Sequence, residues 1–308
     1  MRIAWSNGGW SAAIGAVKPA ALQQASNRPP RLGTLNAMPD SNSHSTSTEQ
    51  QPGKPAKKPG RVRGGVIAAG VGAAAILAAG GYAYAGMSPS SQIFGTCVVA
   101  PDRPDEIALT YDDGPGASDT LRLLDVLARH DVRATFFLIG RFVRQYPQIA
   151  RSVAAAGHLI GNHTMTHPLL LARPLNFIEQ QICDCNAAIE DVLGMEVRWF
   201  RPPHGGRRRV ILRLVEELGM QTVLWNAMGY DWKPTTADAV ERHVLRSFWR
   251  NQLRERATNV LLHDSSQLDN PQDRSHTVAA TDRLIQFWRA HFQQSGATCR
   301  FVTPEAWA

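Results

Sequence analysis

From residue 101 onward the chain alternates short apolar runs with longer amphipathic stretches. Runs at 106–111, 133–139, 158–162, 197–201, 221–226, 259–263 and 299–303 have the length and bounding turn residues of strands. Between them, 120–130, 141–156, 176–193, 207–218, 237–256 and 276–294 carry a helical period, with Leu121, Leu124 and Leu127 expected to face inward on the first. Strand and helix alternating in this way predict a parallel α/β fold, either a barrel or an open sheet. Either architecture puts its working residues at the C-terminal ends of the strands.

The first 60 residues lack any such pattern. They are rich in Ser, Asn, Gln, Pro, Gly and Thr, a composition that predicts disorder. A basic cluster follows (Lys54, Lys57, Lys58, Arg61, Arg63), and residues 64–87 then run without a charge. At about 1.5 Å rise per helical residue this stretch reaches roughly 36 Å, enough to cross the hydrocarbon core of a bilayer. Because Lys and Arg stay on the cytoplasmic side, everything after Met87 is expected outside. Ala83-Tyr84-Ala85 also fits a small-x-small cleavage site, which would make the stretch a signal sequence and the domain secreted. The expected organisation is a disordered basic cytoplasmic segment (1–63), a transmembrane helix or signal-anchor (64–87), a linker (88–104) and a globular domain (105–308).

Charge and cysteine content refine this picture. The net charge of +7 invites a nucleic-acid reading, but residues 1–63 hold nine Lys/Arg and two acids, while the remainder holds 24 of each. The globular part is therefore neutral, which argues against nucleic acid as a partner, and no protein partner is implied. Hydrophobic residues make up 44% of the chain, enough for a sizeable core. Of the four cysteines, Cys97 precedes the first strand and Cys299 opens the last, so a bridge between them is expected to staple the ends of the fold. Cys183 and Cys185 stand two apart on a predicted helix and cannot face one another.

Polar clusters end five of the strands. The first, Thr110-Tyr111-Asp112-Asp113-Gly114-Pro115, delivers two adjacent carboxylates. Neighbours on a strand point to opposite sides, so one acid is expected to bind a metal while the other faces the reacting water. After the third strand, His163 and His167 stand four apart, a spacing that on a helical turn would put both rings on one side. With Asp113 they would form a His2Asp site with open positions, the pattern of a catalytic metal. Phe200-Arg201-Pro202-Pro203-His204-Gly205 follows the fourth strand, Tyr230-Asp231-Trp232 the fifth, and Leu261-Leu262-His263-Asp264 ends the sixth.

In this order the clusters resemble the motifs of the polysaccharide deacetylases of carbohydrate esterase family 4, across roughly residues 105–308. The resemblance implies a distorted (β/α)7 barrel and hydrolytic removal of acetyl groups from N-acetylglucosamine-type residues of a glycan. It implies Asp112 as general base, Asp113, His163 and His167 as metal ligands, and Arg201 as the group orienting the base. Asp231 would tune His263, the general acid, while Trp232 and Leu261 would wall the acetyl pocket. The backbone N–H of His204 would face the oxyanion. The implied cofactor is a divalent metal, zinc first, with cobalt, nickel or manganese as alternatives. The implied partners are an acetylated glycan, peptidoglycan or chitooligosaccharide-like, and a membrane through residues 64–87. The alternatives are an O-acetyl esterase on the same scaffold and an inactive glycan-binding protein. Four positions depart from the family pattern: Tyr111 replaces Phe, His204 an aromatic, and Met228 and Gly229 an Asp and a hydroxyl residue.

Overall fold

The computed structural model describes residues 77–267 and 272–308. The expected disordered segment and residues 64–76 of the expected membrane span lie outside them. Residues 77–87 are helical, and among the described residues no helix is long and apolar enough to cross a membrane.

In chain order the elements are β1 (Glu106–Asp112), α1 (Thr120–Arg129), β2 (Thr135–Leu138), α2 (Gly140–Gln145), α3 (Pro147–Ala155), β3 (Leu159–Asn162) and α4 (Leu175–Leu193). Then come β4 (Trp199–Phe200), α5 (Arg209–Glu217), β5 (Gln221–Thr222), β6 (Ala227–Met228), α6 (Ala237–Gln252), β7 (Thr258–His263), α7 (Ser275–Gln294) and β8 (Arg300–Phe301). All strand pairs are parallel, in the order β5-β4-β3-β2-β1-β7-β6, with β8 added beside β1. This is a curled α/β half-barrel. β5 and β6 are consecutive in the chain yet lie at opposite ends of the sheet path, so the barrel is open between them.

The period-two geometry of β1 determines what reaches the interior. Ile107, Leu109 and Tyr111 join the large core formed with the helices, whereas Thr110 and Asp112 point the other way. β2 and β4 repeat this: Phe136 and Phe200 belong to the helical core, and Phe137 and Trp199 to a second, inner cluster. The segment 88–104, expected as a linker, lies along the seam. Val98 pairs in parallel with Val223, and Asn259 Nδ2 donates to Val99 O at 2.9 Å.

Three local expectations need correction. The stretch 141–156 is two helices, because Pro147 lacks the N–H that would continue the first and fits instead at the opening of the second. The run 221–226 is not one strand: β5 pairs with β4 and β6 with β7. On α1 it is Leu123, not Leu121, that faces inward; Leu121 is 44% exposed and Leu123 fully buried. The Cys97 to Cys299 bridge is not formed, and all four cysteines are free. Cys97 packs with Leu212, Leu224 and Trp225, whereas Cys299 lies against the helical core, so different apolar clusters hold the two.

The α1 correction is tested by alanine substitution with urea unfolding followed by circular dichroism. Leu123→Ala is expected to cost about 2–5 kcal/mol, and Leu121→Ala less than about 1 kcal/mol.

Candidate active site

The polar strand ends converge on one cavity of about 510 Å³. Asp112, Asp113, His163, His167 and His204 line one part of it; Trp225, Met228, Tyr230, Trp232, Leu261 and His263 line another. Ser266, Gln267, Gln272 and Arg274 complete the wall. Of the ten site residues expected from sequence, eight line the cavity, and Arg201 and Asp231 lie fully buried behind it.

Asp112 and Asp113 do not face opposite sides as an ideal strand would place them. Asp113 adopts φ 74°, which turns the chain out of β1. As a result, Asp112 Oδ2 and Asp113 Oδ1 both lie 3.6 Å from His163 Nε2. Gly114 is obligatory in this turn, since a Cβ there would collide with the carboxylate of Asp264.

The two histidines converge without a helical turn. They sit in a loop where Thr164 has φ 69° and His167 φ 60°. Asn162 holds the loop: its Oδ1 accepts from Thr164 N–H at 2.7 Å, while its Nδ2 donates to Ile182 O and Asn186 Oδ1 on α4. Thr164 Oγ1 then accepts from the N–H of His167 at 3.0 Å.

These contacts produce a group of side chains that could hold a cation. His163 Nδ1 lies 2.7 Å from Arg201 O and, against a carbonyl, must donate; its Nε2 therefore carries the lone pair, directed toward the carboxylates. One ligand atom from each of Asp113, His163 and His167 lies within 4.8 Å of the others, and His167 Nε2 is 3.3 Å from Asp113 Oδ1. Asp113 Oδ1 is buried with no hydrogen-bond partner. Acceptor facing acceptor in a dry site is repulsive unless a cation sits between them, and two imidazoles with one carboxylate suit a divalent transition metal. Burial pushes the His163 imidazole down to about 3, the neutral form that a metal requires; it pushes the Asp113 carboxyl up to about 7, so a cation bound there would displace its proton.

Arg201 underlies the other carboxylate. Fully buried, it donates from Nη1 to Asp112 Oδ1 at 2.8 Å and to Thr110 Oγ1 at 2.7 Å, and its guanidinium lies 4.1 Å over the Phe137 ring. Burial still pushes the Asp112 carboxyl above its ordinary value, with Arg201 pulling it back. Removing Arg201 would leave a buried carboxylate unpaired, a loss of about 3–5 kcal/mol.

Across the cavity, His263 closes β7. Its Nδ1 lies 2.9 Å from Asp231 Oδ1, and its backbone N–H donates to Asp231 Oδ2 at 2.8 Å. Burial opposes a charge on the imidazole, but Asp231 outweighs it and raises the group to about 9. The Trp232 ring packs edge-on against His263 at 5.5 Å, and Tyr230 packs on Trp232. His204 stands on a short turn with φ 57°, its ring 4.7 Å from that of His167.

Sequence reasoning missed several contributors. Arg274, His276 and Thr277 all bond Asp231, but Arg274 stands just before the predicted helix 276–294 with no motif to mark it, and the period of that helix hides the other two. Arg207 is buried and joins Gly205 O beside His204 to Ser88 O and Ser91 O, so the segment before the barrel braces the His204 loop.

The Asp113 shift has a measurable consequence. A carboxyl raised from 3.8 to about 7 favours the folded state below pH 3.8, and that advantage is lost as pH rises through about 7. A divalent cation reverses the loss, so the rise in Tm on adding Zn2+ should grow between pH 5 and 8, as buffered scanning fluorimetry would read. Asp113→Ala should abolish it; an equal rise in that variant would contradict the site.

Comparison with known proteins places this geometry. Residues 100–223 match the sequence family described as polysaccharide deacetylase. The chain is 37% identical over 185 residues to a chitooligosaccharide deacetylase of Sinorhizobium fredii, covering 58% of this chain and 83% of that one. It is 34% identical over 198 residues to a peptidoglycan-N-acetylglucosamine deacetylase of Bacillus cereus, covering 64% and 66%. The crystal structure of the Bc1960 peptidoglycan N-acetylglucosamine deacetylase superimposes with TM-score 0.58 at 31% identity, over 67% of this chain and 89% of that one. A CE4 family pseudoenzyme from Bacillus anthracis superimposes with TM-score 0.56 at 28% identity, over 66% of each. A parallel half-barrel with these five strand-end clusters, and relatives matched over most of their length, make the chain a member of the polysaccharide deacetylase family.

Proposed function

We propose that the protein is a metal-dependent N-deacetylase acting on N-acetylglucosamine-type residues of a glycan, the activity for which its chitooligosaccharide and peptidoglycan deacetylase relatives are named. One observation carries this reading. A buried carboxylate braced by an arginine lies beside a three-ligand cation site and shares a single cavity with a histidine raised by its own aspartate. Amide hydrolysis needs these functions together, because the amine is a poor leaving group that must gain a proton as water is added.

Asp113, His163 and His167 would hold the divalent cation, zinc by the softness of the donor set, with cobalt, nickel or manganese as alternatives. When bound, it supplies Lewis acidity to the acyl oxygen and to water. Asp112 takes the proton from water, and Arg201 fixes the carboxylate that receives it. The N–H of His204 would stabilise the oxyanion. His263, kept protonated by Asp231, delivers its proton to the departing nitrogen. Leu261 and Trp232 shape the pocket for the acetyl methyl and the sugar.

The existence of a pseudoenzyme on this fold makes completeness of the site decisive, and the residues proposed here as base, ligands and acid sharing one cavity, with Arg201 behind it, support an active enzyme. The domain is read as exported, tethered by residues 64–87 or released after Ala85. The charge-free stretch and its basic flank support that reading.

The test is acetate release by the full chain from N-acetylchitooligosaccharide, peptidoglycan and acetylxylan, with and without chelator. N-acetyl substrates should release acetate in a metal-restorable manner. Asp112→Asn and His263→Ala should each lower kcat by about 10²–10⁴-fold with metal content retained. Release from acetylxylan alone would select the O-acetyl esterase, and chelator-resistant turnover would sink the metal reading.

A further inference from the structure

Asp231 is fully buried, and its acceptor groups are filled from two directions. His263 supplies Nδ1 to Oδ1 and its backbone N–H to Oδ2. The remaining bonds come from the turn that opens α7. Thr277 Oγ1 donates to Oδ2, and Arg274 Nη1 and His276 Nε2 both donate to the backbone carbonyl, each at 2.8 Å. Arg274 is itself buried and lines the cavity; its Nε donates to Ser265 O at 2.8 Å, two residues beyond His263. Its backbone N–H donates to Asp119 Oδ2 at 2.8 Å, which ties the same turn to the start of α1. One guanidinium thus joins the backbone of Asp231 to the strand end that carries His263.

A carboxylate that holds an imidazole through one oxygen can rotate about its side-chain torsions unless the second oxygen is also fixed. Here Oδ2 is fixed by the N–H of His263 and by Thr277, and the backbone of Asp231 is fixed by Arg274 and His276. We propose that Arg274-Ser275-His276-Thr277 forms a sixth functional cluster, in which Thr277 and Arg274 are positioning residues that hold Asp231 so that His263 presents its Nε2 proton to the leaving nitrogen. This rests on the function proposed above and adds to it a requirement from the turn that opens α7.

The chemistry provides a selective test. Cleavage of the N-acetyl amide needs a proton delivered to nitrogen as the C–N bond breaks. An aryl acetate with a stabilised phenolate leaving group breaks its C–O bond without one. A fault confined to the acid's positioning therefore slows the amide and spares the activated ester, whereas general damage to the cavity slows both.

The experiment measures kcat and KM of the full-length protein loaded with Zn2+, on N-acetylchitooligosaccharide and on p-nitrophenyl acetate. Thr277→Val, which keeps shape and removes the donor, should lower kcat on the amide by about 10- to 100-fold with KM within about twofold. The ester rate should stay within about threefold, and Thr277→Ser should recover most of the amide activity. Arg274→Lys, at the cavity wall, should lower the amide-to-ester rate ratio by at least about 10-fold, and Thr277→Ala carries the test if the valine variant loses its Zn2+-induced rise in Tm. Equal losses on both substrates, or none on the amide, would overturn the proposal while leaving the parent function standing. A wild-type protein inert toward both substrates would instead defeat the parent function, and this proposal with it.

Discussion

Two carboxylates buried side by side at the end of the central strand, Asp112 and Asp113, impose the constraint around which the molecule is built. Neither can stay charged in a dry site without a cation close by. The fold supplies one permanently: Arg201, from the end of β4, is sandwiched over Phe137 and bonded to Asp112. For Asp113 the fold supplies neutral imidazoles rather than a charge, each raised into place by a loop with left-handed backbone. A loop that stores such strain next to an orphaned carboxylate oxygen fits the proposal that an ion completes it.

The same logic runs across the cavity with the opposite sign. Asp231 is buried, but its charge is matched by His263 and its oxygens are saturated by donors. The groups proposed as base and acid are thereby held in complementary surroundings, a carboxyl braced by arginine and an imidazole raised by aspartate. β1 and β7 pair in register with Asp112 opposite His263, so the two halves share one rigid frame.

Much of this was legible in the sequence. Parallel strands alternating with helices put working residues at strand ends, and a single rule about strand C-termini located Asp112, His163, Arg201 and His263. What stayed hidden follows from physics that residue patterns do not encode. The turn at Asp113 and the loop holding His163 and His167 depend on positive φ at residues other than glycine, which no composition signals. The division of 221–226 was masked because Val223, Leu224 and Trp225 are buried although they lie outside the strands, against Val98, Cys97 and their neighbours. Thr277 was missed because the helical period of 276–294 accounts for it without a partner, and Arg274 because a lone arginine before that helix reads as solvated. Arg207 was missed because its partners are backbone carbonyls far earlier in the chain.

The central claim is that Asp113, His163 and His167 share one divalent ion. X-ray absorption spectroscopy on the full chain loaded with one equivalent of Co2+ tests it most directly. The account predicts a first shell containing two imidazole nitrogens and carboxylate oxygen, with one imidazole lost in His167→Ala. A shell of oxygen alone, or one unchanged by that substitution, would contradict it.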